Sequence, residues 1–554
     1  MRDNDNNPPS DDSVGGELAL GTRRTDPAFA THSVTVVEAE RLRKRPGAVF
    51  WVSVGAIVAL VVWATIAPTQ VGEVMAAASN WSTQNIGWSY LVVTLGCIVL
   101  MLYLGLGRFG RVRLGEDDDR PEFSTVAWIA MILGAVMGIG LVSYGAAEPM
   151  THFMVPPHGR AEPETMDAAV TAMQFAYFDW GPNAWALFGV FGLAIAYSTH
   201  RRHNSGLVSP MLRPVLGASM DGWAGRTIDI FTVIATLFGT TTSLGLGASQ
   251  IAEGVNRLTG VPADLFVKVA IIAGITVVFT LSAVSGVGRG IKWVSQVTMI
   301  GAALLGLFVL TLGPTSFIAN LYVRSVGQFA GEFPIVALLT PSGPEDLQWM
   351  QWWTYFMMAW WLSWGAFVGI FLARISKGRT IRQFVFTVLG VPTIVFTAWF
   401  AIFGGTAINF DMFHGTDIGE RTLNDTNTTF FAVLAELPLP AITSVLTIVL
   451  VVLYFVSGAD SNTFVLSSLS SRGSMNPSRA VLTIWGILTG VCAIVLLLVG
   501  GLQALQQAAI LSAIPFTVIV TLLGISLVKE LQNDHRFGGT RPVTRAELDR
   551  ILAS

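Results

Sequence analysis

Tyr355-Phe356-Met357-Met358-Ala359-Trp360-Trp361-Leu362-Ser363-Trp364-Gly365-Ala366-Phe367 is an uncharged run rich in aromatic residues. As an α-helix it puts Trp360 and Trp364 one turn apart on one face, with Trp361 beside them. Tryptophan in a membrane usually sits at the water interface, and Trp349, Trp352 and Trp353 just upstream suit that role. Trp360, Trp361 and Trp364 fall deeper, near the middle of the run. There each indole N–H needs a partner, or the rings surround something. Indole is the best cation–π ring, and a cage of such rings holds a quaternary ammonium group without a carboxylate. Core packing is the competing explanation.

The rest of the 554-residue chain has the same character. It is 52% hydrophobic and 12% charged, with a mean hydropathy of +0.59 and a net charge of −3. That composition excludes a soluble enzyme, a nucleic-acid binder and a disordered scaffold. A membrane-spanning helix needs about 20 mostly apolar residues. Twelve segments meet this: 48–68, 88–107, 124–147, 178–198, 227–252, 264–286, 292–313, 351–373, 383–405, 438–467, 480–500 and 507–528. The expected fold class is therefore an all-α polytopic membrane protein with twelve transmembrane helices. Residues 1–46 read as a disordered cytoplasmic tail, 47–528 as the transmembrane domain and 529–554 as a short cytoplasmic tail, with a capping-box-like start at Thr544-Arg545-Ala546-Glu547. No cleavable signal peptide is visible.

Basic residues set the orientation. With the N-terminus inside, only Arg160, Arg257, Arg324 and Arg421 of the 33 Lys and Arg fall in outer loops, and Lys268 sits at the outer end of the sixth span. This follows the positive-inside rule and places both termini in the cytoplasm. Two outer loops are long. One, 314–350, contains an amphipathic stretch from Phe317 to Phe333 suited to the membrane surface. The other, 406–437, reads as a solvated acidic loop. Cys97 and Cys492 lie in apolar runs, so no disulfide or metal framework is expected. All seven histidines fall outside the spans, and none is read as pairing with a carboxylate at metal spacing, so no enzyme signature emerges.

Other segments carry weaker signals. The third span contains Gly134-Ala135-Val136-Met137-Gly138-Ile139-Gly140. Gly134 and Gly138 have helix-packing spacing, but Gly140 weakens the helix further, and an unwound stretch offers amides and carbonyls to a ligand. Spans 3–7 and 8–12 then form two corresponding halves. The fourth span adds Trp180 and Trp185, with Trp180 divided between an interfacial and a pocket role. In the fifth, Thr236 and Thr240 lie one turn apart and suit a small hard cation, although such threonines more often bond the preceding turn. Asp460 in the tenth is either functional or a brace.

These residues resemble the betaine/choline/carnitine transporters. The likeness rests on Trp360-Trp361-Leu362-Ser363-Trp364 running into Phe367-Val368-Gly369, and on Met137-Gly138-Ile139-Gly140-Leu141 leading to Glu148-Pro149. It covers spans 3–10. The resemblance implies a LeuT-type five-plus-five inverted repeat preceded by two extra helices, assembled as a homotrimer in the plasma membrane. It implies sodium-driven import of a quaternary-ammonium or related zwitterionic compound: glycine betaine first, or choline, carnitine or ectoine. The substrate-binding residues it implies are Trp360, Trp361, Trp364, Trp180, Trp185, Phe188, Met137, Gly138, Ile139 and Gly140. One implied sodium site uses Thr236 and Thr240 near Phe367, and another uses Gly134, Met137 and Ser457. The chain departs from the family where Gly458 stands in place of a hydroxyl and Phe188 in place of a tyrosine. The first departure leaves cation-independent exchange as the alternative mode.

Overall fold

The computed structural model describes residues 46–136, 138–285, 288–474 and 476–534. Met137, Thr544 and most of both tails lie outside the described residues. The labelled helices are α1 (Ala48–Ile66), α2 (Pro68–Ile86), α3 (Trp88–Leu106), α4 (Thr125–Val136), α5 (Ile139–Tyr144), α6 (Ala147–Met154), α7 (Met166–Trp180), α8 (Pro182–Ala196), α9 (Trp223–Thr259), α10 (Leu265–Ser285), α11 (Gly288–Leu312), α12 (Thr315–Val336), α13 (Pro344–Trp352), α14 (Thr354–Ile375), α15 (Ile381–His414), α16 (Ile418–Asn424), α17 (Thr429–Ala435), α18 (Pro440–Ser470) and α19 (Arg479–Gln532). Among the described residues the extended structure amounts to one isolated bridge, Arg113 to Thr380.

The chain is thus all-helical and polytopic. Among the described residues, eight helices are long and apolar enough to cross a membrane, and ten if each of two bent pairs counts as one crossing. Apolar side chains sort these helices by position. α1 turns Trp51, Val58, Val62 and Ile66 outward, and only 22% of its apolar stretch is buried. For α9, and for α13 with α14, the buried share is 83%. Exposed apolar faces suit lipid, whereas helices apolar all round belong at the centre. α14 packs on α8, and α9 packs on α14, α18 and α19, so these elements form the middle of the body.

Several expected boundaries shift. A second helix, α2, follows α1 directly, because Pro68 opens it at a position where a missing N–H costs nothing. The expected fourth span, 178–198, is α8, which Pro182 starts, and only its first three residues belong to the end of α7, across a break at Gly181. The region before it, expected to be an outer loop, is the buried helices α6 and α7. The 406–437 loop is mostly helical too: α15 runs on to His414, and α16 and α17 follow. α19 holds both of the last two expected spans, interrupted at Gly500 and Gly501. Gly501 has φ 63°, a left-handed conformation that glycine adopts without a Cβ penalty. α12 covers the Phe317–Phe333 stretch and meets the preceding helix at 107°.

Candidate functional site

The third expected span is broken. α4 ends at Val136, α5 begins at Ile139, and the arms of the span are bent by 67°. Gly138, between them, is extended at φ −149° and ψ −162°. Its carbonyl accepts the Leu141 amide at 3.1 Å, which starts the new helix. Gly140 follows, and its lack of a side chain has a direct purpose. A Cβ there would stand 2.6 Å from Trp180 and 3.2 Å from Trp360. The break therefore brings bare backbone against two tryptophans.

Those tryptophans belong to one interlocked cluster. Trp360 and Trp361 stack with centroids 5.0 Å apart. Trp180 sets its edge on Trp361 at 4.9 Å and on Trp360 at 6.2 Å. All three are buried. Their N–H groups are anchored: Trp360 Nε1 donates to the Gly239 carbonyl at 3.2 Å, Trp361 Nε1 to the Asp179 carbonyl at 2.8 Å, and Trp180 Nε1 to Glu148 Oε2 at 2.7 Å. With the N–H groups fixed at the rim, the ring faces are turned on one another and on Phe356, which stacks on Trp360 at 5.6 Å. Trp180 is thus enclosed by protein and does not lie on the outer face of the bundle.

The other expected side chains take graded places. Trp185 and Phe188 are fully buried behind Trp361, with Phe188 5.9 Å from it and Trp185 5.8 Å from Phe188. Trp364 is half-buried, touches Phe367 at 5.3 Å and lies against Gly239. Ile139 packs on α9 at Gly247. Thr236 and Thr240 flank Gly239, the residue whose carbonyl holds Trp360. Their hydroxyls donate to Thr232 and Thr236 carbonyls at 2.7 and 3.0 Å. That is the back-bonding habit of helical threonine, and it leaves the oxygen lone pairs available. The second ion set is less assembled. Ser457 donates to Tyr454 in its own helix at 3.3 Å, and nothing approaches the Cβ position of Gly134 within 4 Å. Asp460 accepts the Ser282 hydroxyl at 2.9 Å.

The sequence reading missed part of the cluster. Tyr144 contacts Trp180, Trp353 and Trp360, and Phe400 contacts Trp180 at 5.3 Å. Trp353, assigned to the interface, is buried between Tyr144 and His152, whereas Trp352 is exposed as expected. His152 was also misplaced. It is buried in α6, one turn after Glu148, and together with Asp179 the two form a tight group of titratable side chains. The Glu148–His152 spacing of four residues was the available signal.

A helix break inside an apolar bundle is a feature that membrane transporters use to build their binding sites. Comparison with known proteins agrees. The model of the betaine/carnitine/choline family transporters matches residues 48–536, and the chain belongs to that family. It is 42% identical over 495 residues to the glycine betaine transporter OpuD of Bacillus subtilis, covering 89% of this chain and 96% of that one. It is 38% identical to the ectoine/hydroxyectoine transporter of Virgibacillus pantothenticus, over 88% and 97% of the two chains. A glycine betaine/proline/choline transporter of Vibrio parahaemolyticus is 35% identical, over 88% and 90%. The protein is accordingly a membrane transporter and not an enzyme.

Proposed function

We propose that this chain imports glycine betaine, or a related quaternary-ammonium or zwitterionic solute such as choline, carnitine or ectoine, by sodium symport. The observation that carries the reading is the Trp180–Trp360–Trp361 cluster against Gly140. Indole faces attract a trimethylammonium group, and amides freed at the helix break attract a carboxylate. The relatives' glycine betaine, choline and ectoine substrates support the same class.

In this conformation the rings touch one another. A cation engages a ring within about 6 Å of its centroid, so an ammonium group held between two rings keeps them well beyond 4.9 Å apart. Binding must therefore part Trp180 from Trp361, and transport becomes a rocking of one half of the molecule about the other. Thr236 and Thr240 supply sodium ligands beside the Gly239 anchor, so that ion occupancy and ring position are linked. The wider frame is twelve crossings in two inverted five-helix halves, both termini cytoplasmic, in a plasma-membrane homotrimer.

Sodium-independent exchange is the second reading. It is favoured by Gly458, which has no hydroxyl and nothing near its Cβ position within 4 Å. Uptake of labelled betaine into proteoliposomes separates the two. Symport requires accumulation only with an inward sodium gradient, and exchange requires preloaded substrate and no sodium.

A further inference from the structure

Beside the cage, Glu148, His152 and Asp179 each bring one ligand atom to within 4.8 Å of the others, and all three are fully buried. Glu148 Oε1, both Asp179 carboxylate oxygens and both His152 ring nitrogens have no hydrogen-bond partner. His152 Nε2 is 3.7 Å from Glu148 Oε1, beyond hydrogen-bond reach. Among the described residues, no lysine or arginine forms an ion pair with either carboxylate. The surrounding elements also carry Tyr144 on α5, Asp411 on α15, Glu420 and Arg421 on α16, and Asp425 before α17. Tyr144 faces Trp180 and Trp353, Arg421 pairs with Asp417 at 2.8 Å, Asp411 accepts the Gly419 amide, Asp425 accepts the Asn427 amide, and Glu420 is exposed. On the far side of Trp349, His158 pairs with Asp346 at 3.2 Å.

We propose that Glu148, Asp179 and His152 form a proton-binding site that reports to the aromatic cage. Two carboxylates in one dry site cannot both stay ionised without a counter-charge. A bound proton removes one negative charge and turns an acceptor-only oxygen into a donor for the neighbouring oxygens that lack partners. A metal ion fits less well. Structural sites for such ions close with about four ligands, whereas here three side chains meet, and the Trp349 and Trp353 rings sheathe His152 at 4.9 and 4.8 Å. The link to the cage is short: Glu148 holds the Trp180 N–H, and the backbone carbonyl of Asp179 holds that of Trp361. Protonation changes the strength of the first bond and the position of the second. Proton occupancy is then coupled to the opening of the rings, a step that rests on the cage being the substrate site.

The test uses the full-length protein in nanodiscs. Infrared difference spectra between acid and alkaline pH should show a titrating carboxylic-acid C=O band in the wild type, and Glu148→Gln combined with Asp179→Asn should remove it. If the double variant fails to fold, the isosteric Asp179→Asn alone must diminish the band. Betaine affinity should vary with pH in the wild type by up to about tenfold per pH unit, the limit for one linked proton, and become flat in the variant. The same band in wild type and variant overturns the site. So does stoichiometric zinc or manganese that a chelator removes. The spectra need no substrate, so they decide the proton site even if betaine does not bind.

Discussion

Indole rings and one glycine carry most of the function argued above. Trp180→Ala, Trp360→Ala and Trp361→Ala each delete a ring from a desolvated cluster, where a cation–π contact contributes about 2 kcal/mol. Betaine dissociation constants should rise about thirtyfold for each variant. Equilibrium binding to the detergent-solubilised protein reads this directly, and unchanged affinity in all three would remove the cage. Gly140→Ala puts a methyl group 2.6 Å from Trp180, closer than carbon atoms approach. It should abolish measurable binding while the protein still purifies as a folded species. The tryptophans of α14 were legible in the sequence because three large rings far from the interface demand an explanation. Trp353 was not, since nothing local distinguishes it from exposed Trp352, and its burial comes from contacts with Tyr144 on α5 and His152 on α6. Glu148 and Asp179 were obscured for a similar reason. They lie 31 positions apart in sequence and meet only because a stretch expected to be a loop folds back as α7.

Helices position these groups through breaks as much as through length. Gly138 ends one helical arm and lets the next present bare backbone, and Gly181 with Pro182 does the same between α7 and α8. The first interruption was readable from its glycines; the second was not read, and neither were the partners of either across the bundle. α9 brings Thr236, Gly239 and Thr240 to the cage as a unit. Thr236→Ala should raise the sodium concentration needed for half-maximal uptake, and an unchanged sodium dependence would exclude this hydroxyl as a ligand. At the far end of α8 the tail is also tied down. Arg201 is buried and pairs with Asp534 at 2.5 Å and Asp117 at 2.9 Å, and the Tyr197 hydroxyl donates to Asp534 at 2.8 Å. The first residues of the C-terminal tail thus dock on the body of the protein. Removing one partner of a buried pair leaves the other charge uncompensated, at a cost of about 3–5 kcal/mol. Arg201→Ala should lower the melting temperature in detergent far more than Arg213→Ala, whose exposed pair with Asp221 contributes little.

The bundle sorts its helices by what surrounds them. α1 shows apolar side chains outward, while α9 and α14 bury theirs, so the lipid-facing and central helices differ in exposure but little in composition. That is why hydropathy marked the helical segments yet could not say which ones form the centre. It also missed the short buried helices, whose lengths fall below a membrane crossing. The closed aromatic cluster should open to bind a trimethylammonium solute together with sodium. Uptake of radiolabelled glycine betaine into proteoliposomes, with an inward sodium gradient and with potassium replacing sodium, tests this most directly. Accumulation is expected with sodium and none with potassium. Equal counterflow in both salts, seen only when betaine is preloaded, would contradict it.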